Sequence, residues 1–211
     1  MVNEALHAER ALALSYAPAD ARGALNALFA LDGALGAILR TTREPMVGQM
    51  RLTWWHEALT KLDTAPPPAN PVLQGLAALI PRVSGARLAG MIDGWEALLD
   101  EPLDAGAMER FAAARGGGLF GAAGAVLGAD HPRLPQAGEG WALADLARNL
   151  GDGEKAALAR GLAAPRLAGA MRGRWPGRLR ALGALVLLAR EGEPGSPRRV
   201  ARLLWHRATG A

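Results

Sequence analysis

The stretch Pro18-Ala-Asp-Ala-Arg22-Gly-Ala-Leu25-Asn-Ala-Leu28-Phe29-Ala-Leu31-Asp32-Gly-Ala-Leu35-Gly36-Ala-Ile-Leu39-Arg40 decides the fold class. Leu25, Leu28, Phe29, Leu35 and Leu39 recur at the helical period, and Pro18 marks the start of a long helix. The rest of the chain has the same character. Among its 211 residues, Ala (46) and Leu (34) far outnumber Val (7), Ile (3) and Thr (6). So few β-branched residues beside so many strong helix formers predict an all-α protein. A chain of this length suits a single domain with one substantial core, and we read 1–211 as one unit.

Outward from this helix, a short helix is predicted over Asn3–Leu14. Glu44-Pro45 opens another that reaches Asp63, with proline in the first turn where its missing N–H costs nothing. Its two apolar stripes, Leu52-Trp55-Leu59-Leu62 and Val47-Met50-Trp54-Ala58, predict a central position. Helices are further expected over Val72–Leu79 and, capped by Ser84, over Ala86–Leu99, then from an Asp104 cap towards Leu127. Gly138–Leu150 and Gly153–Leu162 read as two helices hinged at Gly151-Asp152-Gly153, and Pro165–Arg190 and Arg198–Arg207 finish the chain.

Several function classes drop out. Without cysteine there are no disulfides, no thiolate catalysis and no Cys-ligated metal, and four scattered histidines build no metal pair. No Walker A sequence occurs. Met-Val-Asn-Glu-Ala-Leu-His lacks an apolar h-region, so no secretory signal is expected. The longest uncharged apolar-leaning stretch, Gly116–Ala129, has 14 residues, too short for a membrane span. The expected location is cytoplasmic, peripheral on the inner membrane face. Residues 1–159 carry 13 basic and 18 acidic side chains, whereas residues 160–211 carry 11 Arg and two acids, net +9. That basic region is expected to meet an anionic membrane surface or a partner protein. No nucleic-acid-binding motif accompanies it, so nucleic acid is not an expected partner.

Candidate chemistry is sparse. Asp32 lies on the apolar stripe of its helix, and a buried carboxylate must be paired or lose its charge. Arg51 is the expected partner, and both a structural ion pair and a ligand-facing role stay open. Trp54-Trp55 reads as core, with a binding platform as the alternative. Gly116-Gly-Gly118-Leu-Phe-Gly121 matches G-x-G-x-x-G formally, but no strand precedes it. These glycines are expected to let helices approach closely or a ligand reach the backbone. Asp93, Glu96 and Asp100 share a helical face, read as solvated surface or as a Mg²⁺-binding face. Trp141, Asp145, Arg148, Asn149 and Asp152 lie opposite Leu143, Leu146 and Leu150, as either an exposed polar face or a cavity lining.

The order of these pieces resembles the squalene/phytoene synthase family. Pro18-x-x-x-Arg22-x-Ala24-Leu25-x-Ala27-Leu28-Phe29-Ala30-Leu31 is similar to that family's first long helix. Ile92-Asp93-Gly94-Trp95, Phe111 followed by Gly116-Gly117, and Gly138-x-Gly140-Trp141-x-Leu143-x-Asp145-Leu146-Ala147-Arg148 resemble its later segments, in order over residues 12–153. Glu44-Pro45-x-x-Gly48-x-x-Arg51-Leu52-x-Trp54-Trp55 resembles a branch without known synthase activity, which includes a mitochondrial complex I assembly factor and bacterial relatives.

The resemblance implies an isoprenoid-synthase-type helical bundle, shortened at its C-terminal end. Active members condense two prenyl diphosphates head to head, using aspartates that hold Mg²⁺ against the diphosphate. Here those aspartates fall on Gly36, Ala37 and Arg40, on Leu98, and on Asn149 and Gly153, with Asp152 as the acidic neighbour. Small and cationic side chains cannot hold the metal, so the expectation is a catalytically degenerate member without cofactor. It would bind an isoprenoid or lipid, or act in assembling a membrane complex. The cavity implied by resemblance is surrounded by Phe29, Asp32, Gly36, Arg40, Arg51, Trp54, Trp55, Gly117, Trp141, Asp145, Arg148 and Asn149. The alternatives are an active farnesyl or geranylgeranyl diphosphate transferase, with Mg²⁺ and unconventional ligands, and a structural partner with a filled interior.

Overall fold

Leu25, Leu28, Leu31 and Leu35 are all fully buried, and they place the second helix in the middle of the protein. Each such side chain contributes about 1.5–3 kcal/mol by leaving water. The computed structural model describes residues 2–42, 44–99, 102–190 and 196–211, with side chains from residue 8 onward. Its elements are α1 (Val2–Leu14), α2 (Ala19–Thr41), α3 (Pro45–Lys61), α4 (Pro71–Ala77), α5 (Gly85–Ala89), α6 (Ile92–Glu96) and α7 (Ala105–Phe111). A π-helical turn (Ala112–Gly117) joins α7 to α8 (Gly118–Val126). Then come α9 (Leu134–Asn149), α10 (Gly153–Ala170), a 3₁₀ turn (Gly177–Leu179), α11 (Arg180–Arg190) and α12 (Pro197–Thr209). Among the described residues there is no strand, and the fold is all-α as the composition requires.

α9 is the hub. It lies along α10 and against the π turn, α8 and α11, and α2 closes the bundle against α4 and α8. The tightest crossing depends on two glycines. A methyl group on Gly116 would sit 2.1 Å from the Gly138 carbonyl oxygen, and one on Gly138 would sit 2.0 Å from that of Gly116. Ser84 and Asp104 cap α5 and α7 by accepting from Arg87 N at 3.2 Å and Ala107 N at 2.8 Å.

Several expectations change. α3 is not central: Leu52, Trp55, Ala58 and Leu59 face inward, but Val47, Met50 and Trp54 of the second stripe are exposed, as is Met46 beside them. The predicted helix over 86–99 is two short helices. α10 runs through Pro165 without stopping, and the break falls instead at Met171–Pro176. Proline removes one helical donor there, while Arg166 Nη1 donates to Leu162 O at 2.9 Å within the same turn. α2 is long and apolar enough to cross a membrane by length and composition. In the fold, its apolar stripe packs into the core. Asp100, expected on an acidic face, and residues 191–195, between the last two predicted helices, lie outside the described residues.

The basic C-terminal region is less free than its charge suggests. Arg166 pairs with Glu139 (3.0 Å) and Glu109 (3.2 Å), and Arg178 donates to Leu127 O at 2.5 Å. Arg180 donates to Arg207 O at 2.6 Å, and buried Arg199 pairs with Glu9 at 2.9 Å. These arginines fasten the terminal helices to the bundle.

Candidate functional site

Asp32 is buried on α2, and its partner is Arg115 on the π turn. Arg115 Nε and Nη2 donate to Asp32 Oδ1 and Oδ2 at 2.7 and 2.8 Å, a bidentate pair. The third guanidinium nitrogen, Nη1, reaches Asp145 Oδ2 on α9 at 2.8 Å. One buried cation thus joins two helices through two carboxylates. Arg51, the expected partner, is exposed and donates to Thr42 Oγ1 at 2.9 Å and Thr41 Oγ1 at 3.3 Å. Helix α3 turns it towards the end of α2 rather than into the core.

Aromatic rings enclose the same cation. The guanidinium carbon lies 4.5 Å from the Trp95 ring centroid, 4.7 Å from that of Trp141 and 5.2 Å from that of Phe111. Flat rings present negative faces to a weakly hydrated planar cation, which suits Arg better than Lys. Phe29 backs this wall edge-on to Trp141, with centroids 5.9 Å apart. Gly94 makes room for the turn, since a methyl group there would meet Arg115 N at 2.8 Å.

Two cavities of about 560 and 330 Å³ meet at this cation, sharing Arg40, Trp95, Arg115, Asp145 and Asn149. The larger also reaches Arg10, Arg148 and the α11 leucines Leu185 and Leu188. The smaller is walled by Leu39, Leu98, Leu103 and Leu150. At the rim Arg40 is exposed and makes no hydrogen bond or ion pair among the described residues, while Arg148 makes a long 3.4 Å contact to Asp145 Oδ1. Gly36 gives Arg40 its place, because a methyl group there would meet both Arg40 Nη1 and Trp95 Cη2 at 3.0 Å. The Trp95 indole N–H is buried without an acceptor.

The charges are tightly tuned. Burial alone would lower the Arg115 guanidinium, but Asp32 and Asp145 outweigh it and push the group above its ordinary value. Burial alone would raise the Asp145 carboxyl, but Arg115 and Arg148 outweigh that and hold it below the usual carboxylate range.

Of the residues named from sequence, the structure brings Asp32, Gly36, Arg40, Trp141, Asp145, Arg148 and Asn149 to the cavities, with Phe29 behind them. Arg51, Trp54, Trp55 and Gly117 lie elsewhere. Trp55 is core and Trp54 is 47% exposed, against the reading of both as core. A methyl group on Gly117 would meet nothing within 4 Å, so the close approach belongs to Gly116. Asp152 caps α10 by accepting from Glu154 N at 2.9 Å. Glu96 accepts from Gln49 Nε2 at 2.7 Å and Asp93 is exposed, as a solvated face requires.

Sequence reading misses Arg115, Trp95 and Arg10. One signal is present: Arg115 is the only charged residue between Arg110 and Asp130, alone in an apolar run. A lone cation in such a run must find a buried anion.

A family model described as squalene/phytoene synthase matches residues 6–161. No curated protein and no solved structure matches the chain. The match spans well over half of the 211 residues, and the described residues build an all-helical bundle around a cavity, so the chain belongs to the squalene/phytoene synthase family.

Proposed function

We propose that this family member does not condense prenyl diphosphates, and instead holds an isoprenoid or other lipid by an anionic head group without a metal. The observation that carries this reading is Arg115, bound to Asp32 and Asp145 between Trp95 and Trp141. The donor set does not suit Mg²⁺. The three acids that line the larger cavity are engaged by guanidinium groups, Asp32 and Asp145 by Arg115 and Glu9 by Arg199. Among the described residues no group of three His, Cys, Asp or Glu side chains converges.

What the site offers is a mouth of arginines over a larger cavity rich in charged and polar side chains, continued by a smaller, mainly apolar one. Arg40 and Arg148 suit a phosphate or carboxylate, since Arg matches the planar geometry of both anions. Leu185 and Leu188 on α11, and Leu98 just after α6, then cover an apolar tail. A space of about 560 Å³ falls in the range of small-molecule sites, which favours a ligand over a filled interior. The chain then serves as a lipid-binding or membrane-complex assembly protein.

Farnesyl diphosphate titrated in EDTA, followed by tryptophan emission, tests this directly. Saturable binding of equal strength with and without Mg²⁺ is expected, with no pyrophosphate release above a boiled control. Mg²⁺-dependent release of pyrophosphate would establish the transferase alternative instead.

A further inference from the structure

The outward face of α12 sets exposed apolar side chains among cations alone. Its inner side is pinned: Arg199, Leu203 and His206 are buried, and the His206 ring sits between Arg180 O at 3.1 Å and Ala211 O at 3.2 Å. Opposite them stand Leu204 and Trp205, 53% and 64% exposed, with Val200 at 38% on the shoulder. At 3.6 residues per turn, Arg198 and Arg202 fall along one border of this apolar face and Arg207 along the other, and all three are exposed. The helix contains no acid.

We propose that α12 is an interfacial helix that lays Leu204 and Trp205 into an anionic lipid bilayer. Charge complementarity chooses this occupant. A water-filled surface gives no reason to ring exposed Trp and Leu with cations alone, and no acid on α12 offsets them. Trp prefers the headgroup level of a bilayer, and arginines beside it reach phosphates while their stems stay on the apolar side. A rigid helix, already folded on the bundle, adds no ordering cost on landing. The inference is independent of what the cavity holds.

Co-flotation of the full chain with vesicles tests it, using phosphatidylcholine alone and phosphatidylcholine mixed with phosphatidylglycerol. Binding to the anionic vesicles only, falling with added salt, is expected. Trp205→Ser should weaken it about tenfold or more, and Arg198→Gln and Arg202→Gln about fivefold each. Each variant is compared at unchanged melting temperature. Trp54→Ser, which removes an exposed indole from α3, should leave flotation as it was. Equal binding to neutral vesicles, insensitivity to Trp205→Ser, or loss with Trp54→Ser would each overturn the proposal. So would a dimer that dissociates on Trp205→Ser without any vesicle binding, which would assign the face to a second copy of the chain. None of these outcomes touches the farnesyl diphosphate titration, so the two readings fail separately.

Discussion

The floor and the mouth of the cavity use the same side chain for opposite purposes. On the floor, Arg115 is 5% exposed, satisfied by two carboxylates and enclosed by rings. At the mouth, Arg40 is exposed and Arg148 holds one long contact. A guanidinium that is fully paired in a dry site has no capacity left for a ligand, and its removal strands its partners. An arginine standing in water over a cavity contributes little to folding and keeps its donors available. The difference separates stability from recognition within a few side chains.

The sharpest way to break this comparison is Arg115→Ala. It leaves Asp32 buried without a counter-ion and should cost about 3–5 kcal/mol in urea unfolding. A loss below about 1 kcal/mol would mean that the floor is not a structural centre. Arg115→Met combined with Asp32→Leu removes both charges at similar volume, and should return the protein to within about 2 kcal/mol of wild type.

Asp145→Asn comes next, at about 1–2 kcal/mol, because Asp145 is partly exposed and retains water on one side. Its effect should depend on pH. The folded carboxyl is held below its ordinary value, so the stability it contributes is complete above the unfolded value of about 4 and is lost as pH falls through the depressed folded one. Urea midpoints of wild type and Asp145→Asn should therefore converge in acid. Parallel curves down to the acid limit would contradict the assigned network.

The smallest stability effect belongs to the mouth. Arg40→Ala should change unfolding by less than about 0.5 kcal/mol. Binding of farnesyl diphosphate in EDTA should nevertheless weaken about tenfold, as loss of one charge-assisted hydrogen bond implies. Unchanged affinity would remove Arg40 from recognition and leave the floor reading intact.

Much of the fold and part of the site are legible in the order of the amino acids. The helical period of Leu25, Leu28 and Leu35 places α2, and a carboxylate on that stripe announces a buried pair at Asp32. Which cation answers it is not legible, because Arg115 lies 83 residues away and only the crossing of helices brings the two together. Arg51 is nearer in the chain and carries the right charge, but α3 presents it to Thr41 and Thr42. The outward turn of Val47, Met50 and Trp54 is hidden for a related reason: periodicity shows that a stripe exists, not that anything covers it. On α9 the alternation of Trp141, Asp145 and Arg148 with leucines is visible in the chain, and only packing against the π turn makes that polar side an interior.

The π-helical turn has a consequence for how this interior is inherited. Such a turn holds one residue more than ordinary winding over the same rise. Deleting the codon for a residue just before Arg115 would return the segment to ordinary winding with its flanks in register, but would re-aim the residues between them, and Arg115 would no longer meet both Asp32 and Asp145. The cationic counterweight at the heart of the molecule is therefore separated from its loss by one step of reading-frame-neutral change. Descendants of this lineage can be sorted by counting residues across that short interval.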